Sequence, residues 1–138
     1  MGDVVGAPQV EARSEVLRRR ARQHGLTLPT TGTSMLPHLP AGRTVTVDPD
    51  RPVRFGDVVA FVDDHGNVVV HRLVRRTDGR LRCLGDNRRT FDPPVPDSRL
   101  VGHVDEPRRV LGHGVHTMTT ALRTLARKAR RRLPGTRR

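Results

Sequence analysis

Ser34, in the run Gly32-Thr33-Ser34-Met35-Leu36-Pro37, is the first residue along the chain whose setting suggests covalent chemistry. A serine hydroxyl is a weak nucleophile and needs a neighbouring base to take its proton. The only lysine is Lys128, far along a basic tail, so a lysine base is excluded unless the tail folds back, and the seven histidines are the candidates. Histidine suits the task because its ordinary pKa of about 6.5 leaves most of it neutral and able to accept a proton near pH 7. His71 lies inside the β-prone run Val68 to Val74, beside Val69 and Leu73 on one strand face. A base of this kind is commonly held in one tautomer by a carboxylate, and Asp86 and Asp92 are both candidates for that third member. Together these residue types point to acyl transfer by a serine nucleophile.

The elements that must position them are short. Thr44 to Val47, Val58 to Val62, Val68 to Val74, Leu81 to Leu84 and Arg99 to Val104 are β-prone runs bounded by Gly, Pro, Asp or Asn. His65-Gly66-Asn67 and Asp78-Gly79 tolerate positive φ, so residues 58–84 read as a three-stranded meander with His71 on its central strand. A helix is expected over Glu11 to Gln23, on a thin apolar stripe of Val10, Val16, Leu17 and Ala21. A second, basic amphipathic helix is expected from Val115 to Leu133, stopped by Pro134-Gly135. The fold class is therefore mainly β, with short N-terminal and C-terminal helices. Composition divides the chain into a charged arm over residues 1–25, a catalytic domain over 26–107 and a basic tail over 108–138.

Composition narrows the function. A chain of 138 residues supports one compact domain, and its core must be built from Val, Leu, Ala and three Phe because Trp and Tyr are absent. The net charge of +12 favours anionic partners. Aromatics make up only 2% of the residues, which argues against base stacking and hence against single-strand nucleic acid recognition. The longest apolar run, Val58 to Val62, is far below the roughly 20 residues of a membrane span. No secretory signal is expected among residues 1–23, where Arg18, Arg19, Arg20 and Arg22 occupy the place of an apolar stretch, and one cysteine excludes an internal disulfide. A cytoplasmic setting is expected. Cys83 shares a strand face with Leu81 and reads as a packing residue. The histidines show no ligand spacing, so neither a metal nor a cofactor is implied.

Five boxes in order carry a family resemblance. They are Gly32 to Pro37; Gly56-Asp57-Val58-Val59-Ala60-Phe61; Val70-His71-Arg72-Leu73-Val74; Gly85-Asp86-Asn87 with Asp92; and Val101-Gly102-His103-Val104. This set resembles the type I signal peptidase family, and its His-Arg pair resembles the archaeal and endoplasmic-reticulum branch, which uses Ser–His chemistry. The resemblance implies a small signal-peptidase-like β-fold with Ser34 as nucleophile and His71 as general base, in preference to His24, His38, His65, His103, His113 and His116. It also implies that Asp92 orients His71, while Asp86 organises its loop through backbone amides and Asn87. Met35 and Leu36 would shape shallow pockets for small substrate side chains. The backbone N–H of Ser34 would serve as the first oxyanion donor. Some members carry a serine where Gly32 stands, so a second donor would come from Thr31, Thr33 or elsewhere. No counterpart of the membrane anchor common in the family is expected.

The leading expectation is a serine endopeptidase that removes a leader or signal segment after small residues from a precursor protein. Two rivals are a peptide-binding relative with weak turnover and a basic protein that binds membranes or nucleic acid. The tail, with Arg123, Arg127, Lys128, Arg130, Arg131 and Arg132 around an apolar face, suits peripheral attachment to an anionic bilayer.

Overall fold

The computed structural model describes residues 6–105. Helix α1 (Ala7–His24) is followed by strands β1 (Leu26–Pro29), β2 (Thr44–Asp48), β3 (Val58–Val62), β4 (Val68–Thr77), β5 (Arg80–Leu84) and β6 (Val95–Pro96). A single 3-10 turn (Asp97–Arg99) leads into β7 (Leu100–Asp105). The expected helix over 115–133 lies outside the described residues.

Helix α1 starts four residues earlier than the apolar stripe predicts. Pro8 sits in its first turn, where a missing N–H costs nothing, and the N–H of Gly6 donates to Gln9 Oε1 at 2.9 Å. Arg22 and His24 complement the negative end of the helix dipole. Its buried face is Val10, Ser14, Leu17 and Ala21, spaced by three and four residues. Ser14 is accommodated because its hydroxyl donates to the Val10 carbonyl at 2.9 Å. Val16, expected on this face, points away and is 65% exposed. Complete burial of a valine such as Val10 stabilises by about 1.5–3 kcal/mol, which suffices to dock a short, arginine-rich helix.

The seven strands form one antiparallel sheet in the order β1-β2-β7-β3-β4-β5-β6. The last described strand therefore enters the middle of the sheet, between β2 and β3. Strand β3 explains its own unbroken apolar sequence. Val58, Ala60 and Val62 face a core shared with α1, β1, β2 and β7, whereas Val59 and Phe61 face a second cluster with Leu73, Leu81, Cys83 and Val95. A strand covered on both faces has no solvent side to keep polar. The meander over 58–84 forms as expected, and β4 and β5 are joined by Asp78-Gly79 with φ of 52° and 69°, the left-handed pair that a two-residue hairpin requires. Strands β1 and β6 have no counterpart among the expected runs.

Candidate active site

The nucleophile segment is a loop pinned at its base. Thr30 receives the Gly42 N–H on its carbonyl at 2.8 Å and donates its N–H to the Arg43 carbonyl at 2.7 Å, closing the loop onto the start of β2. The Thr30 hydroxyl donates to the Pro40 carbonyl at 2.8 Å. Within the loop, Leu36 N–H donates to Thr33 and Leu39 N–H to Met35, so the chain coils tightly around Ser34. Met35 and Leu39 are buried in the first core and anchor the coil. Ser34 is thereby held in place from both sides.

His71 projects from the middle of β4, opposite Val59 on β3, and packs edge-on against Phe61 with ring centroids 6.3 Å apart. Its Nε2 lies 3.0 Å from Ser34 Oγ and its Nδ1 2.6 Å from Asp92 Oδ2. The carboxylate can only accept, so Nδ1 carries the proton and Nε2 presents its lone pair to the serine hydroxyl. Asp92 is fixed in turn by its backbone N–H, which donates to the Cys83 carbonyl of β5 at 2.9 Å.

Asp86 occupies a different position. Its carboxylate is fully buried and takes two bonds from Arg72, Nε to Oδ1 and Nη2 to Oδ2, each 2.8 Å. Arg72 also donates from Nη1 to the Gly56 carbonyl at 2.7 Å. The His38 Nδ1, on the nucleophile loop, lies 3.1 Å from Asp86 Oδ2. In place of the backbone amides expected for it, the Asp86 side chain meets the Arg72 guanidinium and lies beside the His38 imidazole, and Asn87 acts separately. Its N–H donates to the Ser34 carbonyl at 2.8 Å and its side-chain amide to the Thr33 carbonyl at 3.1 Å. His38 was one of the histidines set aside on sequence grounds, and nothing in its local spacing marks it. Its burial against Asp86 does.

Gly85 has a reason to be glycine. A Cβ there would stand 2.8 Å from the Ser34 carbonyl oxygen and 3.1 Å from His71 Nε2, closer than ordinary contact allows.

Ser34 and His71 open onto a cleft of about 280 Å3, whose walls include Pro29, Thr30 and Thr31 on one side and Val68, Val69 and Val70 on the other. Met35 lines it as expected, but Leu36 does not; Leu39 takes its place because the coil at 35–39 turns that side chain inward. Thr31 lines the cleft and Thr33 does not. Among the described residues the Ser34 N–H has no hydrogen-bond acceptor. A second hollow of about 240 Å3 lies on the Asp92 side, between Phe61, Pro93, Pro94 and the Arg99–Asp64 ion pair. Cys83 is completely buried, and burial together with the charge of Asp92 pushes its thiol pKa up to about 12. It is a packing residue, as its sequence position suggested. No group of three or more His, Cys, Asp or Glu among the described residues is placed to hold a metal ion. No described helix is long and apolar enough to cross a membrane.

Comparison with the curated proteins gives no match. Residues 6–104 match the Peptidase S24-like family, a span running from the first turn of α1 almost to the end of β7 and containing Ser34, His71, Asp86 and Asp92. The chain belongs to the Peptidase S24-like family, and its function is of the serine-peptidase kind or related to it.

Proposed function

We propose that this chain is a serine endopeptidase of the Ser–His type, cutting a peptide or precursor protein after small residues. The observation that carries the reading is the unbroken chain from Ser34 Oγ through His71 to Asp92, at 3.0 Å and 2.6 Å. His71 Nε2 takes the hydroxyl proton as Oγ attacks the scissile carbonyl, and Asp92 stabilises the imidazolium that forms. The oxyanion is met by the free N–H of Ser34. Collapse of the tetrahedral adduct breaks the C–N bond, and His71 returns the proton to the leaving amine, which leaves an ester on Ser34. Water, deprotonated by the same imidazole, then hydrolyses the ester and restores the serine.

The substrate enters as an extended chain. Strand β4 pairs with β5 only from Arg72 onward, so its residues Val68 to Val70 keep one backbone edge facing the cleft. An added strand there gains main-chain hydrogen bonds irrespective of sequence. Met35 and Leu39 narrow the cleft toward small side chains. The basic segment over 108–138, outside the described residues, supplies charge for attachment to an anionic bilayer.

The test is cleavage of peptides carrying alanine or glycine at the cut site. Wild type cleaves, and Ser34→Ala and His71→Ala each lose cleavage while keeping their melting transitions. If His71→Ala cut as fast as wild type, the mechanism would be wrong; if wild type bound such peptides without cutting them, the chain would be a peptide-binding relative.

A further inference from the structure

Among the described residues, Arg88 is the one arginine that lines the catalytic cleft, and no carboxylate lines it. Its guanidinium has no hydrogen bond or ion pair among the described residues. That contrasts with Arg18, Arg22, Arg51, Arg72, Arg76 and Arg99, each of which meets a carboxylate.

The position is fixed rather than accidental. The Arg88 N–H donates to the Gly85 carbonyl at 2.8 Å, closing the tight turn that also bonds Asn87 to the Ser34 carbonyl. A single methyl group placed on Gly85 would stand 2.9 Å from Arg88 Cγ and 3.1 Å from His71 Nε2. The stem of Arg88 and the general base therefore flank the same small space above Gly85. Arg88 is itself exposed, and it forms part of the wall of a cleft lined otherwise by Ser34, His71 and threonine, proline, methionine and aliphatic side chains. A guanidinium presents a planar fork of donors that matches a carboxylate.

We propose that Arg88 is a specificity-determining residue that recognises an aspartate or glutamate side chain of the substrate, close to the bond cut by Ser34. The proposal rests on the peptidase reading above and deepens it by naming the substrate class. The small pockets around Met35 set the size of the residue at the cut, and Arg88 sets the charge of a neighbour. The absence of any carboxylate from the cleft wall leaves that partner to be supplied by the substrate.

The experiment uses the full chain and one parent peptide with alanine at the cut. Aspartate, asparagine or arginine replaces each of the four residues on either side in turn. Values of kcat/KM are measured for wild type, Arg88→Ala and Arg88→Glu, and binding of the same peptides to Ser34→Ala is followed by fluorescence anisotropy at low and high salt. At one position aspartate should exceed asparagine by about tenfold in wild type, the usual scale of one charge-assisted bond. The advantage should vanish in Arg88→Ala and pass to arginine in Arg88→Glu. Equal values for aspartate and asparagine at every position, or a preference that survives in Arg88→Ala, would overturn the proposal and leave the peptidase reading standing. If no peptide is cleaved, the peptidase reading falls, and the Ser34→Ala titrations decide Arg88 alone: salt-sensitive preference for aspartate supports it, and indifference to charge refutes it.

Discussion

Arg72 and Asp86 meet through two parallel N–H···O bonds of 2.8 Å, with the carboxylate entirely out of solvent. Arg72 directly follows His71 on β4, so the pair ties the strand that carries the base to the loop that holds Ser34. Removing one partner of a buried ion pair leaves the other charge without compensation. Asp86→Ala is therefore expected to lose about 3–5 kcal/mol of stability and to lose activity with it. Urea melts run beside rate measurements check this, and a variant of normal stability but no activity would place Asp86 in the chemistry instead.

Asp92 should behave in the opposite way. It is partly open to solvent and its side chain serves His71, so Asp92→Asn disturbs the tautomer of the imidazole more than the packing. The rate is expected to fall about 10²- to 10⁴-fold with little change in the melt. A larger effect of Asp86→Ala than of Asp92→Asn on kcat at matched stability would reverse the assignment of the two carboxylates.

The contact at Gly85 gives a third prediction. In Gly85→Ala the new methyl meets backbone at Ser34, which cannot swing aside as a side-chain tip could. The Asn87 to Ser34 bond must shift, and displacement of a nucleophile by about 1 Å costs about a hundredfold in rate. Measured kcat should fall on that scale.

Cys83 loses its proton far less readily in the folded protein than in the opened one. Its ordinary pKa of 9.0 is raised to about 12 in the folded chain, by burial first and by Asp92 second. A raised folded value means that the contribution of the buried neutral thiol is fully present below pH 9 and is lost as pH rises toward about 12. A thiol reagent at pH 8 should leave the native protein unmodified and label it in denaturant. Urea melts between pH 9 and 11 should lose stability more steeply in wild type than in Cys83→Val.

Charge on the tail predicts salt-sensitive membrane attachment. The full chain should co-sediment with anionic liposomes at low salt and release at high salt, since each basic side chain near such a surface contributes on the order of 1 kcal/mol. A chain ending at Arg109 should remain in the supernatant. Equal partitioning of the two would rule the tail out as the attachment.

Much of this arrangement was legible in residue order, and what was not has physical reasons. Strand β3 was visible because burial on both faces leaves five consecutive apolar residues, and the Asp78-Gly79 turn because few residues take positive φ. Strand β1 was hidden because Leu26 to Pro29 is short and ends in proline, which only an edge strand tolerates. Strand β6 is two residues among prolines and is defined only by its partner β5. Ser34, His71 and Asp92 stand out by type and context. Asp86 stood out as a candidate carboxylate, but its burial was hidden since it depends on Arg72 and His38, both distant in sequence. Leu36 drew attention by adjacency to Met35, but a tight coil hands the cleft to Leu39.

The central place of β7 has a temporal consequence. Ser34 belongs to the β1–β2 side of the sheet, while His71 and Asp92 are held by β3, β4 and β5; the ladder joining these halves is β7 itself, the last of the described strands to be synthesised. A growing polypeptide thus displays its serine 37 residues before its histidine, and the histidine 21 residues before its aspartate, with the two halves unstitched until Leu100 to Asp105 emerges. Threading that strand works as an interlock: a chain that stops before Leu100 carries Ser34, His71 and Asp92 but lacks the ladder that joins the two halves holding them.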